Sequence, residues 1–108
     1  MTGASIKDCL QAASTAFGIP VALLRRRTRA PAISHPRQAA MWLARTQGHS
    51  YPEIGRALGF DHTTVMYGCR AVENRAGRDS MFGDRIQSAW DKMSQTQNAR
   101  PGSPGGRF

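Results

Sequence analysis

The sequence predicts an all-α protein, a compact helical domain of about five or six helices. Three observations carry that reading. Apolar residues recur at helical spacing along most of the chain. Serine or aspartate caps stand where several of those periodic stretches begin. No run of alternating apolar and polar residues bounded by turn residues points to a strand.

Each element has its own signature. Ile6, Leu10, Ala13 and Phe17 fall on one face of a first helix. Ser5 with Asp8 three residues on makes a capping box, and Gly18 is a stop signal. Pro20 opens a short second helix holding Val21, Leu23 and Leu24, because proline at the first helical position lacks only an N–H that has no helical partner there. Arg25–Ser34, with Pro31 inside it, reads as an extended basic loop. Pro36 then opens a third helix through Ala39, Ala40, Leu43 and Ala44, ending near Gly48.

Ser50-Tyr51-Pro52-Glu53 is a second capping box, and the helix it starts is cut short by Gly59 after Ile54 and Leu58. Asp61 caps a longer helix to Glu73 or a little beyond, which Gly77 interrupts. Phe82, Ile86, Ala89, Trp90 and Met93 mark a final amphipathic helix. Met41, Trp42, Trp90, Met93 and the two cysteines, Cys9 and Cys69, read as core. Residues 1–93 form one domain by this reading, and the Gly/Pro-rich residues 94–108 a disordered tail.

Charge narrows the function. The 108 residues carry 15 basic against 7 acidic side chains, a net +8, and thirteen of the basic residues are arginine. Residues 25–75 alone hold nine arginines against three acids. That balance implies a polyanionic partner, nucleic acid first and an acidic membrane surface second. Arginine suits bidentate contact with phosphate and guanine. The membrane alternative fails because the arginine run sits in a proline-broken loop without an apolar face. No apolar stretch is long enough to span a bilayer, and MTGASIKDCL lacks the pattern of a signal peptide. Two cysteines fit a reducing cytoplasm, so the expected location is cytoplasmic and nucleoid-associated. No phosphate-binding glycine loop, nucleophile–base pair or metal-ligand cluster is visible. The expectation is therefore a non-enzyme without cofactor, metal or small-molecule substrate.

Ser50–Glu73 is the most informative segment. A short helix, a glycine turn and a longer capped helix make the helix-turn-helix layout, whose second helix enters the major groove. On a helical wheel Val65, Gly68, Cys69 and Val72 fall within about 100° of arc and form a core stripe. His62, Thr63, Met66, Tyr67, Arg70 and Glu73 cover the other side. The first turn thus presents Asp61, His62 and Thr63 outward, with Arg70 placed for a phosphate further along. Aspartate can accept from the cytosine N4 amine, and threonine or histidine can meet a thymine methyl or a base acceptor.

Three strings then become recognisable together. They are Pro36-Arg37-Gln38-Ala39-Ala40-Met41-Trp42-Leu43-Ala44-Arg45, Ser50-Tyr51-Pro52-Glu53-Ile54-Gly55-Arg56-Ala57-Leu58-Gly59, and Asp61-His62-Thr63-Thr64-Val65 followed by Cys69-Arg70. In order and spacing they closely resemble the C-terminal helix-turn-helix domain, domain IV, of the bacterial replication initiator DnaA. The resemblance runs over roughly residues 5–93 and is strongest over 36–72.

The resemblance implies an all-helical domain that binds a short asymmetric duplex box. By it, Asp61, His62 and Thr63 read bases in the major groove, with Tyr51 and Pro52 beside them. Arg29 of the basic loop matches a minor-groove arginine. Thr64 and Arg45 match phosphate contacts, and Arg37 matches an arginine opening the next helix. Arg27, Arg37 and Arg70 complete the expected phosphate set. The sequence also departs from the family. Leu58-Gly59-Phe60 is one residue short, with Phe60 in place of a basic residue, and the turn Thr46–His49 is also one short. Tyr51 replaces an aliphatic residue, and Met66-Tyr67-Gly68 stands where Leu-His-Ala is usual. The initiator's ATPase and loading domains are not in the sequence, so ATP-driven origin melting is not expected of it.

The leading expectation is a sequence-specific double-stranded DNA-binding protein, a transcriptional regulator at DnaA-box-like sites. One alternative is a regulator of replication initiation competing for such boxes. The other is an adaptor that binds a protein partner through the Phe82–Met93 helix.

Overall fold

The computed structural model describes residues 3–96, with side chains as far as Met93. These residues form six helices: α1 (Ile6–Phe17), α2 (Val21–Leu24), α3 (Pro31–Thr46), α4 (Tyr51–Leu58), α5 (His62–Arg78) and α6 (Ser80–Thr96). No strand occurs among the described residues. The Gly/Pro-rich tail expected to be disordered lies largely outside them.

Both capping boxes form. The Ser5 hydroxyl accepts from the Asp8 amide at 3.1 Å, and the Ser50 hydroxyl accepts from the Glu53 amide at 3.2 Å. Glu53 in turn accepts from the Ser50 amide at 2.8 Å. That hydrogen bond holds its carboxyl below the usual range. Each cap contributes about 1 kcal/mol to helix stability.

α3 is the central helix. It packs on α1, α2, α4 and α5, while α6 closes the far side against α1 and α5. Ala39, Ala40, Met41, Trp42, Leu43 and Ala44 are all buried, so most of its circumference faces protein. A helix buried on nearly every side is what a central element of a small bundle requires. Cys9 and Cys69 lie in the same core, where burial pushes both thiols up to about 12.

Three expectations need correction. α3 begins at Pro31, not Pro36, and the basic loop shrinks to residues 25–30. Pro31 occupies the first helical position, and the Ala30 carbonyl accepts from the Ile33 and Ser34 amides at 2.9 and 2.8 Å. Pro36 sits inside the helix, where it costs one amide bond. Tertiary packing holds the extra turn: Pro36 is buried, and the His35 ring meets Phe82 edge-on at 6.3 Å.

α5 also runs through Gly77 to Arg78. A glycine costs a helix only about 1 kcal/mol relative to alanine. Buried Val72 and Ala76 outweigh that. The break comes at Asp79, whose backbone is extended and whose carboxylate accepts from the Phe82 amide at 3.2 Å to start α6.

The apolar face of α6 is not a free surface. Phe82, Ile86, Ala89, Trp90 and Met93 are buried, and Phe82 packs on Phe17 with centroids 5.6 Å apart. The adaptor expectation needs that face open, and the face is built into the core. No helix among the described residues is long and apolar enough to cross a membrane.

Candidate nucleic-acid interface

α4, the turn and α5 form the helix-turn-helix. Two glycines set how closely its parts approach. A Cβ added to Gly55 would lie 2.3 Å from the Phe60 carbonyl oxygen, so only glycine lets the turn fold back on α4. The Gly55 carbonyl there accepts from the Gly59 and Phe60 amides at 2.7 and 2.8 Å, and Gly59 takes a left-handed φ of 86°. On α5, a Cβ at Gly68 would lie 2.8 Å from the Met41 sulfur, so α5 sits tightly on α3.

The start of α5 is open to solvent. Asp61 and His62 side chains are 66% and 59% exposed. Asp61 Oδ2 accepts from the Thr63 amide at 3.0 Å and also from the Thr63 hydroxyl. These bonds, the hydroxyl's first, hold the Asp61 carboxyl below its ordinary value, so it is ionised at neutral pH. The other oxygen, Oδ1, lies 3.7 Å from His62 Nδ1. The wheel reading matches the burial pattern. Val65, Gly68, Cys69 and Val72 are buried; His62, Thr64, Tyr67, Arg70 and Glu73 are exposed; Thr63 and Met66 are half-buried.

The basic arm, residues 25–30, is fastened to this unit. Arg27 donates from Nη2 to the Gly59 carbonyl at 2.6 Å, and its guanidinium lies 5.2 Å from the Phe60 ring centroid. Arg29 is exposed at the far end of the arm. At the start of α4, Arg45 donates to the His49 carbonyl at 3.1 Å and stacks on Tyr51 at 4.6 Å. Arg45 is itself exposed, as is Pro52. A guanidinium has five donors, so each of these arginines keeps capacity for a phosphate.

Arg37 departs from expectation. It is only 6% exposed and cannot meet DNA. Its guanidinium donates to the Arg26 and Thr28 carbonyls at 2.7 and 2.9 Å, and it lies 4.7 Å from the Phe60 centroid. Burial lowers its pKa, yet a guanidinium stays charged at neutral pH. Arg37 therefore does not belong to the phosphate set; it organises the arm from within.

Two residues of this surface carry no contact role in the sequence reading. Phe60 enters it only as a departure from the family. Yet an apolar residue just before an N-cap, five residues ahead of Val65, is the pattern of a hydrophobic staple. Tyr67 is a large side chain left 64% exposed one turn after Thr63. Among the described residues no three His, Cys, Asp or Glu side chains gather to hold a metal ion.

Known proteins share this arrangement of residues. The sequence profile described as bacterial DnaA protein helix-turn-helix matches residues 6–72. The chain is 37% identical over 91 residues to the chromosomal replication initiator protein DnaA of Chloroflexus aurantiacus. It is 36% identical over 91 residues to that of Caulobacter vibrioides, and 34% identical over 96 residues to that of Desulfotalea psychrophila. These alignments cover 82%, 82% and 88% of this chain, and in each case 19% of the relative. The chain thus spans about a fifth of the length of the curated relatives it matches.

Proposed function

The chain belongs to the family of bacterial DnaA helix-turn-helix domains, and from that premise we propose that it binds double-stranded DNA sequence-specifically at sites resembling the DnaA box. The observation that carries the proposal is the exposed, capped opening of α5 beside an arginine arm fastened to the same turn.

In this reading the first turn of α5 enters the major groove. Asp61 Oδ1 accepts from a cytosine amine while Oδ2 keeps the helix capped. The Thr63 hydroxyl already donates to Asp61, so toward a base it offers its methyl group and an acceptor oxygen. His62 supplies a second base contact, and Tyr51 and Pro52 flank it from α4. Arg29 enters the neighbouring minor groove, where narrow A·T tracts attract arginine. Arg27, Arg45, Thr64 and Arg70 meet phosphates and fix the register.

Regulation of transcription follows as the use of such binding, with competition for initiator boxes as the second reading. Mapping occupancy across the chromosome separates them, by promoters against the replication origin. Selection of duplexes from a random pool tests the binding itself, and one short asymmetric motif is expected. On that motif, Arg29→Ala and Thr63→Ala each weaken binding by about 1–3 kcal/mol and leave scrambled DNA bound nearly as before. A pool that yields no motif at physiological salt, or both variants binding like wild type, rejects the assignment.

A further inference from the structure

Phe60 is half-buried between the end of α4 and the Asp61 cap. Two guanidiniums lie over its ring, that of Arg37 at 4.7 Å and that of Arg27 at 5.2 Å from the centroid. Both arginines also bind main-chain carbonyls, and the bonds run in opposite directions across the junction. Arg27, from the arm, holds the Gly59 carbonyl in the turn at 2.6 Å. Arg37, from α3, holds the Arg26 and Thr28 carbonyls in the arm at 2.7 and 2.9 Å. The contacts therefore close a ring from arm to α3 to Phe60 to turn. Gly59 stands two residues before the Asp61 cap, and Thr28 one residue before Arg29.

The chemistry needs an aromatic at position 60. A ring face attracts cations through its quadrupole, and here it draws two of them to one spot. An aliphatic side chain fills space but leaves two like charges crowded at the junction, with only their carbonyl bonds to keep them there.

We propose that Phe60 is a positioning residue that locks the arm to the turn, so that Arg29 and the opening of α5 engage their two grooves as one unit. The inference rests on the DNA-binding reading above, but its first test does not use DNA. In the free protein, the Arg26 and Thr28 amides donate to the Leu23 and Arg26 carbonyls, both at 3.0 Å, and their hydrogen exchange reports how well the arm is held. Phe60→Leu speeds that exchange by about tenfold and leaves the amides of α1 and α6 unchanged, whereas Phe60→Tyr exchanges like wild type. Should leucine loosen the whole molecule, Phe60→Met, flexible and also without a ring, repeats the comparison.

The second test is a double-mutant cycle on the selected duplex. Phe60→Leu lowers affinity about tenfold, and Arg29→Ala then costs less than about threefold more, far below its effect in wild type. Rescue by tyrosine and the lost effect of Arg29 are results that mere packing would not give. Unchanged arm exchange in both ringless variants overturns the proposal, as does an Arg29→Ala effect that is undiminished in the leucine background. If Arg29→Ala has no effect in wild type, the DNA reading of the arm fails, while the exchange result still decides whether Phe60 holds it.

Discussion

Two aspartates start helices in this molecule, and their surroundings could hardly differ more. Asp61 caps α5 and Asp79 starts α6, each by accepting a backbone amide within its first turn. After Asp61 come His62, Thr63 and Thr64, at a surface beside the arm. After Asp79 come Ser80, Met81 and Phe82, and Phe82 goes into the core against Phe17. Both junctions also carry an arginine on an aromatic ring: Arg27 and Arg37 on Phe60, Arg75 on Phe82. At the first, the arginines reach on to main-chain carbonyls of the arm and the turn. At the second, Arg75 bonds to Gln38 on α3 at 3.2 Å and ties helix to helix. The same cap chemistry thus opens a helix at an exposed surface in one place and at a packed junction in the other. The difference lies in the residues just after each cap and in where the nearby guanidiniums are directed.

The largest expected effect tests the geometry of each junction through its glycine. Gly55→Ala puts a methyl group 2.3 Å from the Phe60 carbonyl oxygen, a backbone atom that cannot swing aside as a flexible side chain would. The variant should lose about 3 kcal/mol in denaturant unfolding and bind the selected box poorly, because the turn must move. Gly77→Ala, just before Asp79, has open space around it and helical geometry. It should gain about 0.5–1 kcal/mol with box affinity unchanged. Equal signs for the two would mean that the close approach at Gly55 is not a feature of the folded protein.

A smaller effect separates cap from reader. Asp61→Ala and Asp79→Ala should each lower stability in denaturant unfolding by a similar, modest amount, that of a lost helix cap. Only Asp61→Ala should also lose selectivity, seen as relaxed preference at a single base pair in a competition gel-shift. If the two variants select the same motif equally well, Asp61 is a cap alone.

The sequence makes this contrast half legible. Caps and apolar periodicity place five of the helix starts close to their true positions, because both signals are local. The start of α3 escapes them for a non-local reason. Pro36 is a strong opening signal by itself, and the turn before it is held by burial of Pro36 and by His35 against Phe82, far along the chain. Gly77 misleads in the same way, since a modest local cost gives way to burial of Val72 and Ala76. At the site, residues whose role depends on facing outward can be read from helix phase, as with His62 and Arg70. Arg37 cannot. Its charge makes it look like a phosphate ligand, and only the fold shows that the Arg26 and Thr28 carbonyls take its donors instead.

The smallest expected effect is in acid, and it turns on Thr63. In the folded protein Thr63's hydroxyl and amide hold the Asp61 carboxyl below its ordinary value of 3.8. Folding therefore favours the ionised form. The stability this contributes is complete above the ordinary carboxylate range and is lost as pH falls through the depressed value. Asp61 is exposed, so the effect is small and water competes for it. Thr63→Val removes the larger of the two bonds and should bring the Asp61 titration, followed by carboxyl carbon NMR, back toward 3.8. Stability of Thr63→Val should also fall less than that of wild type as the solution is taken from mild to strong acid. An unchanged Asp61 titration would show that the hydroxyl is turned outward. Thr63 would then offer a base a donor, and the asymmetry between the two junctions would reduce to the residues that follow each cap.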